Sequence, residues 1–168
     1  RKGTVICNGK SVGSKIASGV AQVLLDAKDI EKFRPGDILV TEMTDPDWVP
    51  IMRRAKAIVT NRGGRTCHAA IISRELGIPC VVGTNNATER IKSGQKITVS
   101  CAEGENGLIY DGLIPFELKT LDAGKLAKPK TKIMMNVGNP DDAFELSFIP
   151  NDGVGLAREE FIITNYVK

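Results

Sequence analysis

The stretch Asn61-Arg62-Gly63-Gly64-Arg65-Thr66-Cys67-His68-Ala69-Ala70 decides how the rest of this chain is read. It contains the only histidine among 168 residues. Upstream, Ala57-Ile58-Val59-Thr60-Asn61 has the apolar, β-branched character of a short buried strand. Downstream, residues 67–76 put Ala69, Ile72 and Leu76 on one helical face. Gly77 followed by Pro79 predicts the helix stop. Thr66 is the expected N-cap, which sets His68 in the first turn.

That position carries chemistry. First-turn amides have no helical partner and hold the positive end of the helix dipole. Gly63 and Gly64 let the backbone approach a bound group closely. Arg65 offers a guanidinium that can grip phosphate oxygens in pairs, and Thr66 adds a hydroxyl. Together they predict an anion site around an imidazole. A neutral imidazole is a nucleophile near neutral pH and could accept a phosphoryl group. Ala69 and Ala70 are expected to leave room for the product. A histidine that merely starts a helix would not explain why the glycines, Arg65 and Thr66 gather there. A Cys67 nucleophile with His68 as base is a poor alternative, since helix neighbours point about 100° apart.

The run Gly63 to Pro79, Gly-Gly-Arg-Thr-Cys-His-Ala-Ala-Ile-Ile-Ser-Arg-Glu-Leu-Gly-Ile-Pro, resembles the phosphohistidine motif of the PEP-utilising enzymes. The resemblance implies that His68 is phosphorylated in turn by ATP and by PEP. It implies that Gly64, Arg65 and Thr66 help hold the phosphoryl group. Cys67, the Ile-Ser-Arg-Glu run and the phrase Val-Ser-Cys-Ala-Glu-Gly around Cys101 favour the family's water-dependent dikinase branch. That branch converts ATP, pyruvate and water to AMP, PEP and phosphate. His68 would attack ATP on a separate nucleotide domain, and AMP would leave. The outer phosphate would be hydrolysed, and the remaining phosphoryl group carried to pyruvate. Alternatives are the carrier domain of the phosphate-dependent dikinase, that of the PEP-dependent sugar phosphotransferase enzyme, or a non-catalytic swivelling module. Mg²⁺ is implied as cofactor, held mainly by parts outside this chain. ATP, pyruvate and PEP are implied as partners through such parts, and homo-oligomerisation is a further expectation for the longer enzyme.

Composition sets bounds. The chain is 42% hydrophobic and 26% charged, with a net charge of +3, which makes no case for nucleic acid. No run approaches the ~18 apolar residues of a membrane span. Cys7, Cys67, Cys80 and Cys101 form no Cys-x-x-Cys and have no second histidine, so reduced thiols in a cytoplasmic protein are expected. The abrupt start at Arg1, without Met or a leader, leads us to expect an excised piece.

In chain order, residues 3–25 read as strands separated by glycine turns. A short helix is expected at Asp29–Phe33, a strand at Ile38–Thr41, and a helix over roughly 47–56 capped by Asp45 or Asp47. Caps and turns explain that acidic pair more cheaply than a metal site. Strands follow at Pro79–Gly83, Lys96–Cys101 and Leu108–Tyr110, with one helical turn around residues 87–91. The expected class is α/β: a swivelling β/β/α phosphohistidine domain over 1–114, then a Lys- and Pro-containing linker over 115–131. Residues 132–168 read as strand, helix, strand, helix, the start of a TIM-type α/β barrel. There Gly153 to Phe161 resembles the family's PEP-binding barrel, which implies that Arg158 contacts substrate phosphate and that Glu160 matches a motif glutamate. Residues 1–168 alone are not expected to turn over pyruvate.

Overall fold

The computed structural model describes residues 3–118, 125, 127–137, 143 and 147–157. The chain divides into two compact units, Arg1–Phe116 and Glu117–Lys168.

Unit 1 is built on seven strands: β1 (Val5–Val12), β2 (Ile16–Val23), β3 (Ile38–Thr41), β4 (Ala57–Thr60), β5 (Cys80–Val82), β6 (Lys96–Ser100) and β7 (Asn106–Asp111). They close in the order β1-β5-β4-β3-β2-β6-β7. β2, β3, β4 and β5 run parallel, while β1, β6 and β7 pair antiparallel. Every residue of β3, β4 and β5 is buried. Strands covered on both faces read as continuous apolar runs, which is why these were visible in the sequence.

Alternate residues serve two cores. Ile38, Val40, Val59 and Val81 face a cluster to which all seven strands contribute, with Ile97, Val99 and Ile109 among its members. Leu39, Ile58, Cys80 and Val82 face the other way, toward Trp48, Ile51, Met52, Ala69 and Ala70. That outer core is covered by α1 (Val49–Met52) and α2 (His68–Glu75). α3 (Ala87–Arg90) adds Ala87 to the inner cluster.

Two local expectations change. The helix expected over 47–56 is a 3-10 turn at Pro46–Trp48 followed by α1. Pro50 brings no amide hydrogen, and after Met52 the chain tightens, with Arg54 N–H bonding Ile51 C=O and Ala55 N–H bonding Met52 C=O. Asp45 caps the 3-10 turn by accepting from Asp47 N–H at 2.9 Å. Gly9 lies inside β1 rather than in a turn. At Gly9 a Cβ would stand 2.5 Å from the Val82 carbonyl oxygen, so glycine there permits close strand approach.

Unit 2 shows β8 (Met135–Val137) and β9 (Val154–Ala157), a parallel pair. Asp152 accepts from Lys128 Nζ at 2.6 Å and from Ile133 N–H at 3.0 Å. The lysine holds the Asp152 carboxyl below the usual carboxylate range. A parallel pair is the pairing of a β-α-β unit; two strands are not themselves a barrel. Of the helix expected from Asn139 only Ala143 is described, and it is helical; the helix expected from Glu159 falls on residues outside those described, as do Arg158 and Glu160. Among the described residues no helix is long and apolar enough to cross a membrane.

Candidate functional site

The site grows from the C-terminal ends of β3 and β4, neighbours in parallel register with Thr41 beside Thr60. Ligand-binding loops gather at the C-terminal ends of parallel strands in α/β folds. The chain leaving β3 runs Glu42-Met43-Thr44, and that leaving β4 runs Asn61 to Cys67 and enters α2 at His68.

Between these two exits, Thr44 Oγ1 lies 3.0 Å from His68 Nδ1. Thr44 is buried and His68 half-buried. The contact ties the imidazole by one nitrogen and leaves Nε2 as the atom able to meet another molecule. Two tautomers are compatible with the contact, because the hydroxyl can donate or accept.

The N-cap of α2 is Cys67, not Thr66, and no side chain caps the helix. The turn closed by Cys67 N–H on Gly64 C=O at 3.1 Å carries the chain past Thr66, leaving Cys67 extended at the boundary and Thr66 exposed. A thiol is a weak acceptor, so the cap is empty. The helical ladder begins with Ile71 N–H on Cys67 C=O at 3.0 Å, which leaves the amides of residues 68–70 ahead of it. Ala69 and Ala70 face the outer core and are buried, so their small size lets α2 sit close on the sheet rather than making room beside His68.

Gly63 has φ +113°, and a Cβ there would stand 2.7 Å from Cys67 Sγ. Gly64 faces open space. The Arg65 guanidinium is 3.3 Å from Glu105 Oε1, in the turn before β7, and both side chains are exposed. The Arg65 carbonyl accepts from Arg74 Nη2 at 2.7 Å, so the loop is pinned by a side chain from the end of α2. The four cysteines are free thiols. Burial pushes the thiol of Cys7 up to about 11 and that of Cys80 to about 12.

The structure thus brings Gly64, Arg65, Thr66 and His68 to one loop-to-helix junction, while Arg158 lies outside the described residues. Thr44 and Glu42 do not figure in the sequence-based reading. Their only sequence signal is position, just past a buried strand whose parallel neighbour leads to the histidine. Among the described residues no group of three or more His, Cys, Asp or Glu side chains could hold a metal ion.

A half-buried histidine at a helix start, tied through one nitrogen beside a glycine-arginine loop, is an arrangement fit to accept and release an anionic group. Residues 33–104, which contain all of it but Glu105, match the family described as PEP-utilising enzyme, mobile domain. The chain belongs to the PEP-utilising enzymes through that domain. More narrowly, the whole chain is similar to proteins named phosphoenolpyruvate synthase. It is 63% identical to the phosphoenolpyruvate synthase of Aquifex aeolicus over 168 residues, covering 100% of this chain and 20% of that protein. It is 54% identical to the enzyme of the same name from Escherichia coli over 166 residues, covering 99% of this chain and 21% of that protein. The chain therefore spans about a fifth of the length of the curated relatives it matches.

Proposed function

We propose that this chain is the phosphohistidine carrier segment of a longer phosphoryl-transfer enzyme that makes PEP from ATP and pyruvate. The observation that carries the reading is the Thr44–His68 contact beside the Gly63-Gly64-Arg65 loop. The contact engages Nδ1, and of the two tautomers only the one protonated at Nδ1 can react, since a proton on Nε2 would leave that nitrogen no lone pair to attack with. When Nδ1–H donates to Thr44 Oγ1, the lone pair sits on Nε2.

The transfer then balances simply. The Nε2 lone pair forms a bond to phosphorus, the bond from phosphorus to the leaving oxygen breaks, and its electrons depart with AMP. Positive charge develops on the ring and is met at Nδ1–H by Thr44 Oγ1. The transferred oxygens face the uncapped amides of α2 and the Arg65 guanidinium, once that has left Glu105. After the outer phosphate is hydrolysed, the N–P bond breaks in turn, and the phosphoryl group passes to the enolate oxygen of pyruvate. Mg²⁺ supplies charge neutralisation when bound; no step above is routed through it. Unit 1 is the part we propose to swivel between stations, with residues 115–131 as its tether. Unit 2 is proposed as the start of the TIM-type barrel that binds PEP, with Arg158 on substrate phosphate. The cytoplasm is the compartment we propose.

The test uses the intact enzyme carrying this segment and ATP labelled at the β-phosphate, without pyruvate. Acid-labile label on the His68 peptide is expected, passing to added pyruvate and absent in His68→Ala. Label from PEP but never from ATP would favour the sugar phosphotransferase reading. Label from neither would overturn the carrier role.

A further inference from the structure

Asn61 opens the segment that leads from β4 to His68, beside the segment that carries Thr44, and it is 3% exposed. Its side-chain amide is fully used. Nδ2 donates to Glu42 Oε2 at 2.6 Å and to Thr88 Oγ1 at 2.6 Å. Oδ1 accepts from Thr88 N–H at 3.1 Å and from Thr84 Oγ1 at 3.4 Å. The amide orientation is unambiguous: a backbone N–H can only donate and a carboxylate only accepts, so the two ends cannot be exchanged. Glu42 is held by both oxygens, since its Oε1 is 2.7 Å from Arg62 Nε.

The backbone is stitched at the same level. Asn61 N–H donates to Thr41 C=O at 3.1 Å and Arg62 N–H to Glu42 C=O at 2.9 Å. The pairing of β3 with β4 thus continues beyond the strand ends through main chain and side chains together. Two residues after Glu42 comes Thr44, and seven after Asn61 comes His68. The spacing of the two exits sets where the threonine hydroxyl meets the imidazole.

We infer that Asn61 and Glu42 are positioning residues that act through the segment holding Thr44 to fix the orientation and tautomer of the His68 ring. Neither has to touch a transferred group. The role in transfer rests on the carrier reading above; the effect on the ring does not.

The chain lends itself to the test because it has a single histidine. Labelling with ¹⁵N-histidine gives the shifts of one imidazole, from which the tautomer ratio is read. Asn61→Asp sets two carboxylates face to face where the amide now bridges, and it should move that ratio about fivefold, the change expected when one hydrogen bond of ordinary net strength is loosened. Adding Glu42→Gln exchanges the two roles: the new amide can donate to Asp at 61 and still accept from Arg62. The double variant should return the ratio to that of the parent. Glu42→Ala, at a half-exposed side chain, should shift the ratio in the same direction as Asn61→Asp and decides the matter if the latter does not fold. In the intact enzyme, phosphoryl uptake should fall in Asn61→Asp and recover in the double variant. An unchanged ratio in a folded single variant, or no recovery in the double variant, would overturn the inference. A ring that responds as described in an enzyme that never takes label would overturn the carrier reading and leave the positioning role standing.

Discussion

The Thr44 hydroxyl oxygen stands 3.0 Å from Nδ1 of His68, across 24 residues of sequence, and it joins the exit of one parallel strand to the helix that follows its neighbour. Thr44→Val keeps the shape of the side chain and removes the bond. Phosphoryl uptake by His68 should fall about five- to thirtyfold, as expected for a lost hydrogen bond of about 1–2 kcal/mol in the reacting geometry. In the parent the N–P bond should be found at Nε2 by ¹⁵N–³¹P coupling, and label at Nδ1 would contradict the geometry.

Arg65 is engaged by Glu105 at 3.3 Å, an exposed pair of the kind that adds little to stability. Glu105→Gln should leave the melting temperature within about a degree and raise phosphoryl uptake at low salt by up to about threefold, because the guanidinium no longer leaves a competing carboxylate. Arg65→Ala should lower uptake. Equal uptake in Glu105→Gln and the parent at low and high salt would remove the competition argument.

Gly63 and Gly64 are adjacent but answer to different constraints. Gly63→Ala meets both φ +113° and Cys67 Sγ at 2.7 Å, and should destabilise by about 1–3 kcal/mol. Gly64→Ala points into open space and should change stability by less than about 0.5 kcal/mol. Urea unfolding of the two single variants separates them; similar midpoints would contradict the assignment of the strained turn to Gly63.

Burial raises the thiol of Cys80 from its ordinary 9.0 to about 12, and that of Cys7 to about 11. Above pH 9 the unfolded chain releases thiol protons that the folded chain retains. The stabilisation is complete below pH about 9 and is lost as pH rises through 11 to 12. The urea midpoint should therefore be level up to about pH 9 and fall beyond it, and Cys80→Ala should flatten that fall. A midpoint level to pH 11 in the parent would show that these thiols ionise freely in the fold.

The strands around the site were legible for a physical reason. β3, β4 and β5 are buried on both faces, and a strand in that state must be apolar at successive positions, which is a local signal. The helix at 68–75 was legible from its spacing and from Gly77. Its cap was not: Thr66 has the better capping side chain, but the turn from Gly64 to Cys67 decides which residue lies at the boundary. The helix over 47–56 was overextended because apolar spacing continues past the point where the backbone tightens.

By itself the sequence determined the chemistry on offer: one imidazole, a glycine-glycine-arginine approach to it, and a run of residues that belongs to the PEP-utilising enzymes. Those are properties of residue identity and short spacing, which survive without knowledge of the fold. Only the tertiary structure decided that the imidazole is held by Thr44, that Arg65 is engaged by Glu105, and that Asn61 bridges to Glu42. Each of these joins residues between 19 and 40 positions apart. Such contacts depend on the parallel register of β3 with β4 and on the closure of the sheet, which no local pattern encodes.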